Sequence, residues 1–154
     1  MPERRHLAFD RIEAIMPEVD GLLAGHATVG RWTLGMICDH LARTVTLALD
    51  SPPAAAPATR EQAVARRLFF RAAAFPEGQT PPLAVQDPDP LADPAAAAEA
   101  LRGALDRLAI HAGPFPAHPV IGPLSRDEWL TFHARHAAHH LGFAVPTGPA
   151  NPES

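Results

Sequence analysis

Histidine is the residue type with the clearest chemical potential in this sequence. Nine of the 154 residues are histidine, and four of them share one short stretch, His133, His136, His139 and His140. On a helix, a step of about 100° per residue places His136 and His140 about 40° apart, with His133 and His139 about 60° to either side of His136. Two neutral imidazoles four residues apart point the same way from successive turns and can bind one metal ion. A histidine-rich helix that binds no metal would show the same spacing.

A third candidate ligand, His40, lies far away in the sequence. Its helical position falls between Ile37 and Thr44, on a stripe that is predicted to face the core. Burying an imidazole without a partner costs roughly 1–3 kcal/mol, which favours a binding role for His40. Cys38 lies about 200° around the same helix and is excluded as a ligand, whereas Asp39, about 100° away, either supports a ligand or faces solvent. The predicted metal ligands are therefore His40, His136 and His140.

The sequence identifies no catalytic residue and leaves three candidates, Asp39, His118 and His139. His139 either flanks the metal site and donates a hydrogen bond or faces solvent. His118 precedes the last helix in a loop, where it either covers the metal or orders the loop, and the second role is favoured. His133 is predicted to lie on the flank of the helix, at the edge of the apolar stripe. The other histidines, His6, His26 and His111, are predicted to be peripheral.

Prolines divide the chain into helices and loops. Sixteen of the eighteen prolines lie in clusters at 52–57, 76–94 and 114–123 and from 146 onward, and proline inside a helix removes a hydrogen bond. Three- and four-residue apolar spacing between the clusters predicts helices over 8–24, 33–49, 59–74, 94–112 and 125–143. Pro17 predicts a kink or a restart in the first helix. Ser125 and Glu128 have the spacing of a capping box at the start of the last helix. No strand is predicted.

Composition excludes several classes of protein. The net charge is −4 and the isoelectric point is near 6.1, so there is no basic field that would bind nucleic acid. No run approaches the roughly 18 apolar residues of a membrane helix, and charges interrupt the N-terminal segment where a signal peptide would need an apolar stretch. A cytoplasmic location is therefore expected. Cys38, the single cysteine, excludes an internal disulfide and any Cys-x-x-Cys metal site.

Two separated motifs resemble one known family. The first is Gly30-Arg31-Trp32-Thr33-Leu34-Gly35-Met36-Ile37-Cys38-Asp39-His40-Leu41-Ala42. The second runs from His118-Pro119-Val120-Ile121-Gly122-Pro123-Leu124-Ser125 through Glu128-Trp129 to His136-Ala137-Ala138-His139-His140-Leu141. Both resemble the DUF1569 family of the DinB/YfiT-like superfamily, whose members are expected to be metalloenzymes. The glutamine that often follows His-His-Leu in relatives is absent here, and Gly142-Phe143 stands in its place.

The resemblance implies an all-α fold and a function. It implies one DinB-like four-helix bundle over residues 1–145, with an extra short helix, long proline-rich loops and a C-terminal tail at 146–154. One divalent ion, zinc or nickel, would bind to His40, His136 and His140. The expected function is a hydrolase or a thiol-dependent transferase acting on a small-molecule substrate or thiol cofactor, without nucleic acid or membrane. The resemblance also points to a homodimer. The alternatives are a non-catalytic bundle that binds metal or a small ligand, and an interaction bundle with purely structural histidines.

Overall fold

The computed structural model describes residues 3–72 and 87–147 of the chain, and this part is mostly helical. Five α-helices form the framework: Ile15–Leu23 (α1), Leu34–Asp50 (α2), Arg60–Arg71 (α3), Pro94–Ile110 (α4) and Arg126–Leu141 (α5). Each occupies a stretch that the sequence predicts to be helical. The predicted loop over 76–94 lies partly outside the described residues, as do the end of the third predicted helix and the tail from 148. Residues 87–93 contain a turn but no helix or strand.

Side-chain caps explain where four of the helices begin. Thr33, Thr59, Asp93 and Ser125 each accept a hydrogen bond from the backbone N–H three residues later, which would otherwise have no partner. The predicted capping box of Ser125 and Glu128 is confirmed. A second capping box, formed by Thr59 and Gln62, begins α3.

Pro17 is accommodated by a restart of the helix. A short 3-10 helix over Ile12–Ala14 precedes α1, which begins at Ile15. Pro17 therefore lies in the first turn of α1, where a backbone N–H has no partner within the helix. The missing N–H of proline costs no hydrogen bond at this position.

Two small antiparallel sheets join the helix ends, although the sequence predicts no strand. His26–Thr28 (β1) pairs with Ala144–Pro146 (β4), and Ala117–His118 (β2) pairs with Gly122–Pro123 (β3). Strands of two or three residues are too short for an alternating pattern, so their pairing leaves no periodic signal in the sequence. The chain stays attached beyond β4, because Thr147 donates its backbone N–H to the carbonyl of Gly25.

The core lies between α2 and its neighbours. The predicted inward-facing positions Ile37, Leu41, Thr44 and Ala48 are all buried, and α4 packs a buried stripe of alanine and leucine against α2. Helices α1 and α5 close the remaining sides. Within the described residues, no helix is long and apolar enough to cross a membrane.

Gly35 marks the closest approach in this packing. A Cβ atom at Gly35 would lie 2.1 Å from the backbone carbonyl oxygen of Ala92, so a larger residue must displace backbone. We expect Gly35→Ala to lower the free energy of unfolding by about 1–3 kcal/mol, because overpacking outweighs the helix propensity of alanine. Gly103→Ala is the matched control, since open space surrounds that exposed helical glycine. Urea unfolding in which Gly35→Ala is as stable as Gly103→Ala would contradict this packing.

Candidate metal centre

Three histidines from two helices meet in the interior. His40 comes from the middle of α2 and is 1% exposed, whereas His136 and His140 come from the last two turns of α5. The Nε2 atom of His136 lies 3.0 Å from Nε2 of His40 and 3.1 Å from Nε2 of His140. The potential ligand atoms of the three residues all lie within 4.8 Å of one another. The structure thus brings together the three residues that the sequence predicts as ligands.

Aromatic rings orient the three imidazoles. Trp32, which lies just before α2, stacks on His140 with a centroid distance of 5.2 Å and tilts against His40 at 4.9 Å. Phe132, one turn before His136 on α5, stacks on that ring at 5.6 Å. The sequence predicts no role for Trp32, because this residue lies before α2 and helical phase cannot place it.

The surroundings favour the neutral form of His136 and His140. Burial, followed by the neighbouring His140 and His40, holds the pKa of His136 well below its ordinary value. Burial also lowers the pKa of His140, and electrostatic repulsion of a protonated ring by His40, His139 and Arg4 lowers it further. A neutral ring has a lone pair available, which metal binding requires.

The donor set and its spacing fit a divalent ion. Zinc–imidazole bonds of about 2.0–2.1 Å place two nitrogens of a tetrahedral site about 3.3 Å apart. This is close to the 3.0 and 3.1 Å that separate Nε2 of His136 from Nε2 of His40 and of His140. Without an ion, the Nε2 atom of His136 cannot donate to one neighbour while accepting from the other, because one ring nitrogen carries either a proton or a lone pair. One cation would accept the lone pairs of His40, His136 and His140 together.

The N-terminal segment binds to the end of α5 that carries His140 through hydrogen bonds and a cation–π contact. Arg4 donates to Nδ1 of His139 at 2.9 Å and lies over the ring of Phe143 at 4.6 Å. Arg5 donates its backbone N–H to the carbonyl of Gly142 at 2.8 Å. A Cβ atom at Gly142 would lie 2.3 Å from the carbonyl oxygen of Arg5. The N-terminal backbone therefore passes where a side chain at position 142 would begin, which accounts for a glycine after His-His-Leu.

The three catalytic candidates have different surroundings. Asp39 accepts hydrogen bonds from Arg43 Nε and from the backbone N–H of Asp89, both at 2.8 Å, so it anchors the turn before α4 to α2. His118 accepts the backbone N–H groups of residues 120 and 121, which is the predicted loop-ordering role. His139 is next to the metal candidates, with its ring 4.9 Å from that of His140. His139 is the one of the three that the structure places beside the cluster.

His133 is buried on the flank of α5, a burial that its predicted place at the edge of the apolar stripe did not specify. It is 2% exposed and stacks against Trp129 at 5.5 Å. The helical phase of His133 was correct, but the loop that carries His118 covers that flank of α5 through contacts with Trp129 and Phe132. Cys38 agrees with its prediction, because it is buried outside the histidine cluster and burial raises its pKa to about 12.

The comparisons with known proteins give one match. Neither the curated proteins nor the solved structures include a significant match to the chain. A family model described as "Protein of unknown function (DUF1569)" matches residues 1–147, a range that contains all three clustered histidines. Because this match covers nearly the whole chain, the protein belongs to the DUF1569 family.

Proposed function

We propose that the protein is a divalent-metal-dependent enzyme of the hydrolase or thiol-dependent transferase type, with His40, His136 and His140 as the metal ligands. The convergence of three imidazole nitrogens from α2 and α5 carries this proposal. Three neutral nitrogen donors are the ligand set of many catalytic zinc sites, which keep a further coordination position open. Zinc or nickel suits this set.

We also propose that the protein shares the DinB-like architecture. Helices α1, α2, α4 and α5 would form the four-helix bundle, and α3 would be the extra short helix. The support is the motif resemblance together with a histidine from the second helix and a His-x-x-x-His pair from the last one. The DinB-like superfamily includes thiol-dependent transferases, so thiol transfer is one of the two reaction types to test.

The residues around the cluster suit catalysis better than purely structural binding. A divalent ion at this site would act as a Lewis acid that lowers the pKa of a coordinated water or thiol. His140 is only partly buried, so a substrate would approach the ligands from its side. Trp32 and Phe132 fix the planes of the ligand rings through stacking. They would limit the adjustment needed when an ion binds.

His139 is the catalytic candidate that we place at the site, because its ring lies 4.9 Å from that of His140. Arg4 always donates, so Nδ1 of His139 is the acceptor of the hydrogen bond between them. Asp39 and His118 instead accept hydrogen bonds that hold neighbouring backbone in place.

Metal analysis and activity assays together test the proposal. We expect tag-free protein at pH 7.5 to bind about one divalent ion per chain, and Ni²⁺ to quench the fluorescence of Trp32 in a Trp129→Phe background. Metal-loaded and chelator-treated protein should then be assayed with ester and amide substrates, and with small thiols plus an electrophile. Turnover only by the metal-loaded form supports an enzyme. Stoichiometric metal without turnover of either kind would favour the non-catalytic binding bundle, and no bound metal would refute both.

A further inference from the structure

The last turn of α5 carries the candidate ligand His140. The last four carbonyls of a helix have no partner within the helix, and in α5 these belong to residues 138–141. The chain that follows satisfies two of them. The backbone N–H of Gly142 donates to the carbonyl of Ala138, and that of Phe143 donates to the carbonyl of His140, both at 3.1 Å. The other two carbonyls need partners from elsewhere in the fold.

Arginines from the N-terminal segment reach those two carbonyls. Arg4 donates to the carbonyl of His139 at 3.2 Å, and Arg5 donates to that of Leu141 at 3.5 Å. The same guanidinium of Arg4 donates to Nδ1 of His139 at 2.9 Å. The helix dipole also favours positive side chains at a helix C-terminus. A residue 135 positions away in the sequence thus caps the turn that carries His140.

Arg5 fastens the same segment to the rest of the fold. Its Nε atom donates to the carbonyl of Ala144 in β4 at 2.9 Å, and its guanidinium forms an ion pair with Glu18 of α1. Its backbone N–H donates to the carbonyl of Gly142 at 2.8 Å. The backbone next to Arg4 is therefore fixed relative to α5, so the guanidinium of Arg4 meets the last turn at a defined place.

We propose that Arg4 is a positioning residue of the metal centre, which holds His140 where it can bind the same ion as His136 by capping the last turn of α5. The inference rests on the proposed function, because His140 needs a fixed position only as a ligand. Helix ends open locally at a low cost in free energy, and an open last turn would carry the ring of His140 away from the other ligands. His40 lies in the middle of α2, so it depends on Arg4 less.

The positive charge of Arg4 acts in the opposite direction, because it repels a cation. Arg4 is partly exposed, however, and solvent ions screen its charge. We therefore expect the loss of position to outweigh the loss of repulsion when Arg4 is replaced. The two effects have opposite signs, so a measurement of metal affinity distinguishes them.

The Arg4→Gln variant tests the proposal. We expect its Zn²⁺ affinity, measured by competition with a chromophoric chelator at pH 7.5, to fall by about 10-fold, as for other groups that support a metal ligand. In a His140→Ala background, the same substitution should change the remaining affinity by less than about twofold, because the ligand that Arg4 positions is already absent. Arg107→Gln is the matched control, since this exposed arginine bonds instead to Asp50, at 2.7 Å, and should keep wild-type affinity.

Hydrogen exchange gives a second readout, on the wild-type protein. If docking of the N-terminal segment strengthens metal binding, then metal must strengthen docking by the same factor. The backbone amide of Arg5 reports docking directly, because it donates to the carbonyl of Gly142. We expect Zn²⁺ to slow exchange of this amide, measured by NMR, by about 10-fold.

Weaker Zn²⁺ binding by Arg4→Gln but not by Arg107→Gln, together with slower exchange at Arg5, supports the positioning role. Wild-type or tighter binding by Arg4→Gln, an equal loss of affinity in the His140→Ala background or in Arg107→Gln, or unchanged exchange at Arg5 would each overturn it and leave the ligand assignment intact. Wild-type protein that binds no Zn²⁺ would overturn both this role and the proposed function.

Discussion

The His136→Ala variant is expected to lose stoichiometric metal while it keeps its helices. His136 is the central ligand, because its Nε2 atom lies beside those of both His40 and His140. Removing it leaves two ligands on separate helices. Even the loss of a hydrogen bond that merely supports a metal ligand weakens metal binding, so we expect the loss of a ligand itself to lower metal affinity by about 100-fold or more. Elemental analysis at pH 7.5 measures the metal, and circular dichroism measures the helices.

His133→Ala is the matched control for this loss. It removes an equally large, equally buried imidazole from the same helix, with exposures of 2% for His133 and 6% for His136. The cavity and the loss of packing are therefore similar, and only the ligand differs. We expect His133→Ala to bind wild-type amounts of metal. Equal metal in wild type and His136→Ala, or metal lost only from His133→Ala, would refute the ligand assignment.

The free energy of unfolding should fall steeply below neutral pH. Burial lowers the pKa of His118 to about 4 and that of His133 to about 3, whereas an unfolded histidine titrates near 6.5. Below pH 6.5 these two histidines therefore bind protons in the unfolded chain but not in the folded chain. The stability contributed by these neutral rings is complete above that pH and is lost as pH falls. From pH 7 to pH 5 we expect a loss of about 3 kcal/mol from these two residues.

Urea unfolding at several pH values, with chelator present, measures this dependence. The His133→Phe variant has one titrating ring fewer, so its stability should depend on pH less steeply, by up to about 1.4 kcal/mol per pH unit near pH 5. A wild-type free energy of unfolding that stays constant or rises between pH 7 and pH 5 would contradict the buried, neutral state of the two rings. The same slope in wild type and His133→Phe would contradict it for His133.

The sequence predicts the helices well because its signals there are local. Caps at Thr33, Thr59 and Ser125 and apolar spacing within each helix are readable without knowing what packs against them. Helical phase likewise placed His40, His136 and His140 on facing surfaces of α2 and α5. These predictions need only the geometry of one helix at a time.

Features that depend on contacts between distant segments were missed. The β1–β4 pair joins residues about 120 positions apart through backbone hydrogen bonds, which do not depend on side-chain type. The hydrogen bond from Arg4 to His139 and the burial of His133 under the loop of His118 also join segments that are distant in the sequence. The residue types gave no sign of these contacts, so the sequence could not distinguish a covered helix flank from an exposed one.

X-ray absorption at the metal edge of tag-free, metal-loaded wild-type protein tests the central claim most directly. Three imidazoles holding one ion predict about three nitrogen scatterers at about 2.0–2.1 Å, with the ring signature of histidine and no sulfur. The buried thiol of Cys38 lies outside the ligand cluster, so it should not contribute. A sulfur shell at about 2.3 Å, or a first shell of oxygen without imidazole, would contradict the assignment of His40, His136 and His140 as the metal ligands.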